Sequence, residues 1–116
     1  MKVKVNNNIF KVKTLTDKFS QAKGMMKKSK FDDGYNGLLF LMGGDSQSFW
    51  MKDCLINLDI IMIKNNKITK IHYNCPPCKT EDCVHYSGKG NIVLELDGGT
   101  CNRLGIKAGD FVEYVF

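Results

Sequence analysis

The sequence predicts an α+β domain, mainly antiparallel β: a small curled sheet or barrel of seven to eight strands with one or two short helices. Three observations carry this. The chain has 116 residues, one domain's worth, with an ordinary globular balance of 43% hydrophobic and 25% charged residues. Short apolar or alternating runs recur, separated by Asn, Asp and Gly clusters that favour turns. Only one stretch has helical spacing. Many short strands avoid open edges most readily by curling. Residues 1–116 read as a single domain without internal repeat or linker.

Residues 2–5 (Lys-Val-Lys-Val) alternate polar and apolar, the period of a half-buried strand. Asn6, Asn7 and Asn8 form a turn, and residues 9–12 return as the second arm of a hairpin. Thr16 is the expected helix N-cap, with Phe19, Ala22, Met25 and Met26 as the apolar face and Lys23, Lys27 and Lys28 towards the C-terminal end. Gly24 weakens that helix by about 1 kcal/mol relative to Ala, and either ends it early or permits a close approach. Residues 37–42 predict a strand buried on both faces, and Gly43-Gly44-Asp45 a turn. Residues 48–52 predict a strand with Trp50 and Lys52 on one side, in the same sheet as Leu58–Lys64. Asn65-Asn66 closes a two-residue hairpin to residues 67–73. Residues 74–90 lack a period, hold both prolines and three of the five cysteines, and read as a long loop. Residues 91–96 predict a strand with Ile92, Leu94 and Leu96 inward. Residues 100–104 predict one helical turn and residues 111–116 a last strand.

The net charge of +5 is confined to the first quarter: residues 1–30 carry +8 and residues 31–116 carry −3. Sixteen of the seventeen basic residues are Lys, whereas bidentate base or phosphate reading favours Arg. The basic block therefore reads as solvated faces, and nucleic acid is not an expected partner. No apolar run approaches the roughly 20 residues of a membrane-spanning helix, and no secretory h-region follows the early lysines. The expected compartment is the cytoplasm. Neither Gly pair has the spacing of a phosphate loop, and there is no nucleophile elbow.

Several blocks occur together in order: Gly24-Met25-Met26, Gly37-Leu38-Leu39-Phe40, Phe49-Trp50-Met51-Lys52, Leu58-Asp59-Ile60, Val93-Leu94-Glu95-Leu96 and Gly105-Ile106-Lys107-Ala108-Gly109-Asp110. Over roughly residues 9–116 the chain resembles the uncharacterised family domain of unknown function 192, found in bacteria, archaea and some of their viruses. The Phe-Trp-Met-Lys block is its most specific part. The resemblance implies a single small, mainly β domain and no established activity. Many members resemble exported proteins with a leader. This chain starts directly in the domain, so an envelope role is not expected.

Trp50 and Lys52 read as an aromatic plate beside a cation, suited to an anion or a ring; the alternative is a Trp that fills core with Lys52 snorkelling past it. Asp59 lies in a very apolar strand and needs a polar partner, with Lys52 the first candidate, or a backbone brace. Glu95 points away from Ile92, Leu94 and Leu96 and either lines a pocket with Asp59 or faces solvent. The segment from His72 to Tyr86 holds Cys75, Cys78, Cys83 and His85. Beside no special role at all, three readings stay open for it: a zinc site of Cys75, Cys78, Cys83 and His85, a Cys75-x2-Cys78 redox pair, or a local Cys78–Cys83 disulfide. The resemblance favours the Cys78–Cys83 pair, because the run Pro76, Pro77, Cys78, Cys83 and Tyr86 recurs in some members while Cys75 looks like an addition. Cys54 and Cys101 fall in packed elements and are expected to be inert.

These residues lead to a non-catalytic module that binds a small ligand or a protein through Trp50, Lys52, Asp59, Glu95 and Tyr86, with no catalytic residue or cofactor assigned. The alternative is a metal- or thiol-dependent enzyme using the Cys/His-rich loop 72–86, with zinc as its cofactor.

Overall fold

Two Asn pairs set the tightest hairpins. Asn6 and Asn7 have φ of 50° and 67°, and Asn65 and Asn66 have 53° and 61°. Asn tolerates this left-handed backbone, and two such residues in series match the twist of the flanking strands. The computed structural model describes all of residues 1–116. The elements run β1 (Lys2–Val5), β2 (Asn8–Leu15), α1 (Lys18–Lys23), β3 (Gly37–Leu41), β4 (Ser46–Phe49), β5 (Leu58–Lys64), β6 (Lys67–Cys75), β7 (Tyr86–Lys89), β8 (Ile92–Asp97), α2 (Thr100–Leu104) and β9 (Val112–Val115).

Seven strands form one sheet in the order β6-β5-β8-β3-β2-β1-β9, and β4 pairs with β7 as a separate ribbon. Only β2 and β3 are parallel, because α1 and the segment after it carry the chain across between them. The two edges of the sheet approach each other: Ile68 N donates to Asp110 O at 2.9 Å and Val112 N to Asn66 O at 2.8 Å. The sheet is thus a curled half-barrel, and the expected α+β, mainly antiparallel class holds.

Both faces of its centre are covered. One core holds Val5, Val12, Leu39, Ile61, Leu94 and Ile106, among others. The second holds Phe40, Met51, Leu58, Ile60, Met62 and Val93. The β4–β7 ribbon crosses this second face, and a Cβ on Gly88 would stand only 2.8 Å from Met62 Cγ. A side chain at Gly88 would push the ribbon off the sheet.

Four expectations need correction. The strand expected at residues 48–52 is Ser46–Phe49, and it pairs with β7 rather than joining the sheet of β5. Residues 74–90 are not one loop: β6 continues to Cys75, and Tyr86–Lys89 is a strand, which makes nine in all. A strand of the sequence Tyr-Ser-Gly-Lys has no apolar period, so pairing rather than pattern defines it. The helix cap is Asp17, not Thr16, with Asp17 Oδ2 accepting from Ser20 N at 2.9 Å. The helix stops at Lys23 because Gly24 turns to φ 44°, which leaves α1 with no buried residue and Phe19 80% exposed. Met25, expected on the helix face, is instead buried in the turn that follows. No helix is long and apolar enough to cross a membrane.

Candidate functional site

The break at Gly24 shapes a cavity. Because α1 ends there, Met25 folds under it and Met26 forms an isolated bridge with Cys54. Between this segment and β4 lies a cavity of about 290 Å³, lined by Met25, Met26, Phe40, Met42, Phe49 and Trp50 on its apolar side and by Glu95, Lys52, Lys18 and Lys23 among its polar groups. Phe40 meets Phe49 edge-on, with ring centroids 4.9 Å apart at 85°. That pairing fixes the ribbon against the sheet at the cavity wall.

Glu95 is the unusual group. It sits in β8, between β5 and β3, opposite Ile60 and Leu38. Its strand is buried on both faces, so a position read as outward points into the second core instead, and Glu95 is only 4% exposed. Its Oε1 is sealed from solvent without a hydrogen-bond partner. Burial pushes its carboxyl up to about 8, so near neutral pH it is predominantly protonated and can donate. The Cys54 thiol beside it is pushed up to about 12, by burial first and by Glu95 second, and is no nucleophile.

Trp50 lies at the edge of this cavity, 40% exposed, its ring centroid 6.0 Å from that of His85. Lys52 follows the end of β4 rather than extending it, and forms an isolated parallel bridge with Cys78. Its ammonium is already occupied: Nζ donates to Glu81 Oε1 at 2.7 Å and to Thr80 O at 3.0 Å. The hydrogen bond from Lys52 holds the Glu81 carboxyl below its usual range.

Asp59 is elsewhere. Consecutive residues of β5 and β8 face opposite ways, so Asp59, opposite Leu96, projects to the other core from Glu95. It is fully buried and braced by backbone amides: Asn74 N and Gly99 N donate to Oδ1 at 2.8 and 3.1 Å, and Cys101 N to Oδ2 at 2.8 Å. The backbone brace replaces the expected Lys52 pairing, and no pocket is shared by Asp59 and Glu95. Tyr86 also stands apart from this cavity. It pairs with Phe49 across the ribbon and meets His72 edge-on at 5.2 Å. Burial, with Cys75 beside it, raises its phenol above the ordinary range.

Cys78 and Cys83 are joined by a disulfide, S–S 2.13 Å with Cα atoms 5.9 Å apart. The zinc set does not converge: no three His, Cys, Asp or Glu groups meet in metal-binding geometry. The Cys78 and Cys83 sulfurs are bonded to each other, Cys75 is buried with its thiol pushed up to about 11, and the His85 ring lies by Trp50 with Nδ1 3.3 Å from Ser48 Oγ. These donors point to three different places in this structure.

Of the five proposed binding residues, Trp50, Lys52 and Glu95 line one cavity; Asp59 and Tyr86 do not. The walls from Met25, Met26, Phe40 and Met42 were not singled out by sequence reasoning. Their signal was the Gly24-Met25-Met26 block, which looked like the end of a helix face.

The fold and cavity define a class, a small β half-barrel domain with a lateral apolar cavity floored by a buried carboxyl. The chain belongs to the DUF192 family (domain of unknown function 192), described as an uncharacterized ACR, whose model matches residues 1–114. It is similar to a protein of unknown function from Novosphingobium aromaticivorans DSM 12444, with 34% identity and a TM-score of 0.83 over 97% of this chain and 84% of that one. It is also similar to a protein from Sinorhizobium meliloti 1021 described as a candidate transcription regulator, with 28% identity and a TM-score of 0.82 over 97% of this chain and 91% of that one. No curated protein matches the sequence.

Proposed function

We propose that this domain is a non-catalytic binding module that holds a small organic ligand in the cavity beside Trp50. The observation that carries the reading is Glu95, a buried carboxyl whose Oε1 lacks any partner, at an apolar cavity of about 290 Å³. An unpaired buried polar group costs about 1–3 kcal/mol, and a ligand atom that pairs with the Glu95 carboxyl where it lines the cavity recovers part of that cost. A cavity near the small end of the usual range suits a small molecule rather than a peptide. Catalysis has less support: Cys54 and Cys75 are buried with raised thiols, Cys78 and Cys83 are oxidised, and no base–nucleophile pair is assembled at Glu95.

In this reading the partner is neither nucleic acid nor membrane. The expected cytoplasmic location sits against the Cys78–Cys83 disulfide, since thiols there stay reduced. The cavity walls come from other segments, and only Lys52 among the lining residues is tied to the bridged loop, through Glu81 and Thr80.

Trp50 is the single tryptophan of the chain and lines the cavity, so its emission reports occupancy. Titration with uncharged 4-phenylbutanol is expected to give a saturable change in that emission. Absence of a saturable change with this probe and with its charged analogues would remove the binding reading.

A further inference from the structure

We infer that the cavity selects an amphipathic organic anion, with an apolar body against Phe49 and Trp50, an acidic head at Lys18 and Lys23, and a hydrogen-bond acceptor reaching Glu95. This rests on the binding reading above and names its ligand class.

Several of the polar groups that line the cavity already have partners. The Gln21 amide nitrogen is spent, since Nε2 donates to Leu15 O at 3.0 Å and Leu41 O at 2.7 Å, which leaves Gln21 only a neutral acceptor oxygen. Ser48 Oγ is engaged by His85 Nδ1 at 3.3 Å and Ser87 Oγ at 3.4 Å. Lys52 is held by Glu81 and the Thr80 carbonyl. Three groups that can carry charge are left. Lys18 and Lys23 are exposed and belong to none of the six ion pairs of the molecule. Glu95 is buried and unpaired at Oε1. The free cations therefore stand at the open side and the free carboxyl at the closed side.

A ligand cation entering here passes two unpaired ammonium groups and finds a single carboxyl as its counter-charge. An anion finds the reverse. Its head stays near solvent beside Lys18 and Lys23, where a charge need not be dehydrated. Its body replaces water against Met25, Phe40, Phe49 and Trp50. Because burial holds the proton on Glu95 near neutral pH, that carboxyl is a donor there and does not repel the anion.

The test uses three probes with the same body on the intact chain at neutral pH: 4-phenylbutyrate, 4-phenylbutylamine and 4-phenylbutanol, each titrated against Trp50 emission. The expected result is that the carboxylate binds at least tenfold more tightly than the amine. The double variant Lys18→Gln/Lys23→Gln should lose most of that preference while binding 4-phenylbutanol like the parent. Both lysines are exposed, and a circular-dichroism melt checks that the variant folds. Equal or tighter binding of the amine, or a carboxylate affinity unchanged in the double variant, overturns the anion inference and leaves the cavity reading standing. Failure of all three probes overturns both.

Discussion

Asp59 and Cys101 are 42 positions apart in sequence, yet the Asp59 carboxylate accepts a 2.8 Å hydrogen bond from the Cys101 backbone amide. With Gly99 N and Asn74 N on the other oxygen, one side chain ties the start of α2 and the end of β6 to β5. Replacing Asp59 by Leu leaves three amides without an acceptor, at about 1–3 kcal/mol each where buried. Asp59→Leu should lower stability by at least about 3 kcal/mol, and Asp59→Asn, which keeps one acceptor oxygen, by less. Urea unfolding followed by circular dichroism measures both. A Leu variant that unfolds at the parent's midpoint would show the brace to be without consequence.

The central strands were legible because burial on both faces leaves a dense apolar run. Leu58–Lys64 carries that signal in full, and the Asn65-Asn66 turn fixes its hairpin. The β4–β7 ribbon was not legible. Its strands are Ser-Gln-Ser-Phe and Tyr-Ser-Gly-Lys, and neither has a period. Only their mutual pairing and the close approach at Gly88 define them. The cavity suffered for the same reason. Glu95 was identified as a candidate, but an alternation of faces read from one strand cannot show that both faces are covered. The sides of the sheet on which Asp59 and Glu95 lie follow from the register of β5 against β8, which is tertiary information.

The disulfide gives a countable outcome. Cys54, Cys75 and Cys101 are free and buried, while Cys78 and Cys83 are bonded. Denatured, unreduced protein should therefore titrate three thiols, and five after reduction. Closing a loop of sequence separation 5 constrains the unfolded chain less than a 15-residue loop, so reduction should cost less than about 3 kcal/mol. Its local effect is expected to be larger. The bond spans Glu81, the partner of Lys52, and reduction should loosen that segment and raise amide exchange around residues 79–84. Five thiols in unreduced protein would contradict the bond.

The similarity to a candidate transcription regulator invites a nucleic-acid test. Two of the early lysines, Lys13 and Lys28, are already paired with Asp32 at 3.0 and 2.5 Å. Lys2, Lys4 and Lys11 alternate with the buried Val3, Val5 and Phe10 along one hairpin, as a solvated strand face does. No sub-micromolar binding to duplex DNA is expected near physiological salt, and any low-salt complex should dissolve steeply as salt rises. A tight complex that persists in salt and is lost on neutralising Lys23, Lys27 and Lys28 would reverse this.

Glu95 should make stability fall as pH rises, opposite to the usual carboxylate. Its ordinary value is 4.5 and its folded value about 8. Between these, the unfolded chain has released the proton that the folded chain still holds. Folding then takes up a proton, and each unit of rising pH removes up to about 1.4 kcal/mol of stability. Below the lower value the effect vanishes, and above the upper one the whole loss, on the order of 5 kcal/mol, is in place. The thiols of Cys54 and Cys75, which interact with Glu95, are pushed up to about 12 and about 11 by burial and hold their protons throughout. Asp17, Asp32, Glu81 and Asp110 are lowered by their hydrogen-bond partners, so they add stability that is lost as pH falls through the acid range. Measurements from about pH 5.5 upward separate the two trends. Glu95→Gln keeps the shape and the donor but cannot titrate. Its urea midpoint should stay nearly flat from about pH 5.5 to 8 while the parent's declines, so that the variant is the more stable protein at the upper end. Parallel midpoints for the two proteins across that range would mean that Glu95 already shares its proton with a partner, and the cavity would lose its free donor.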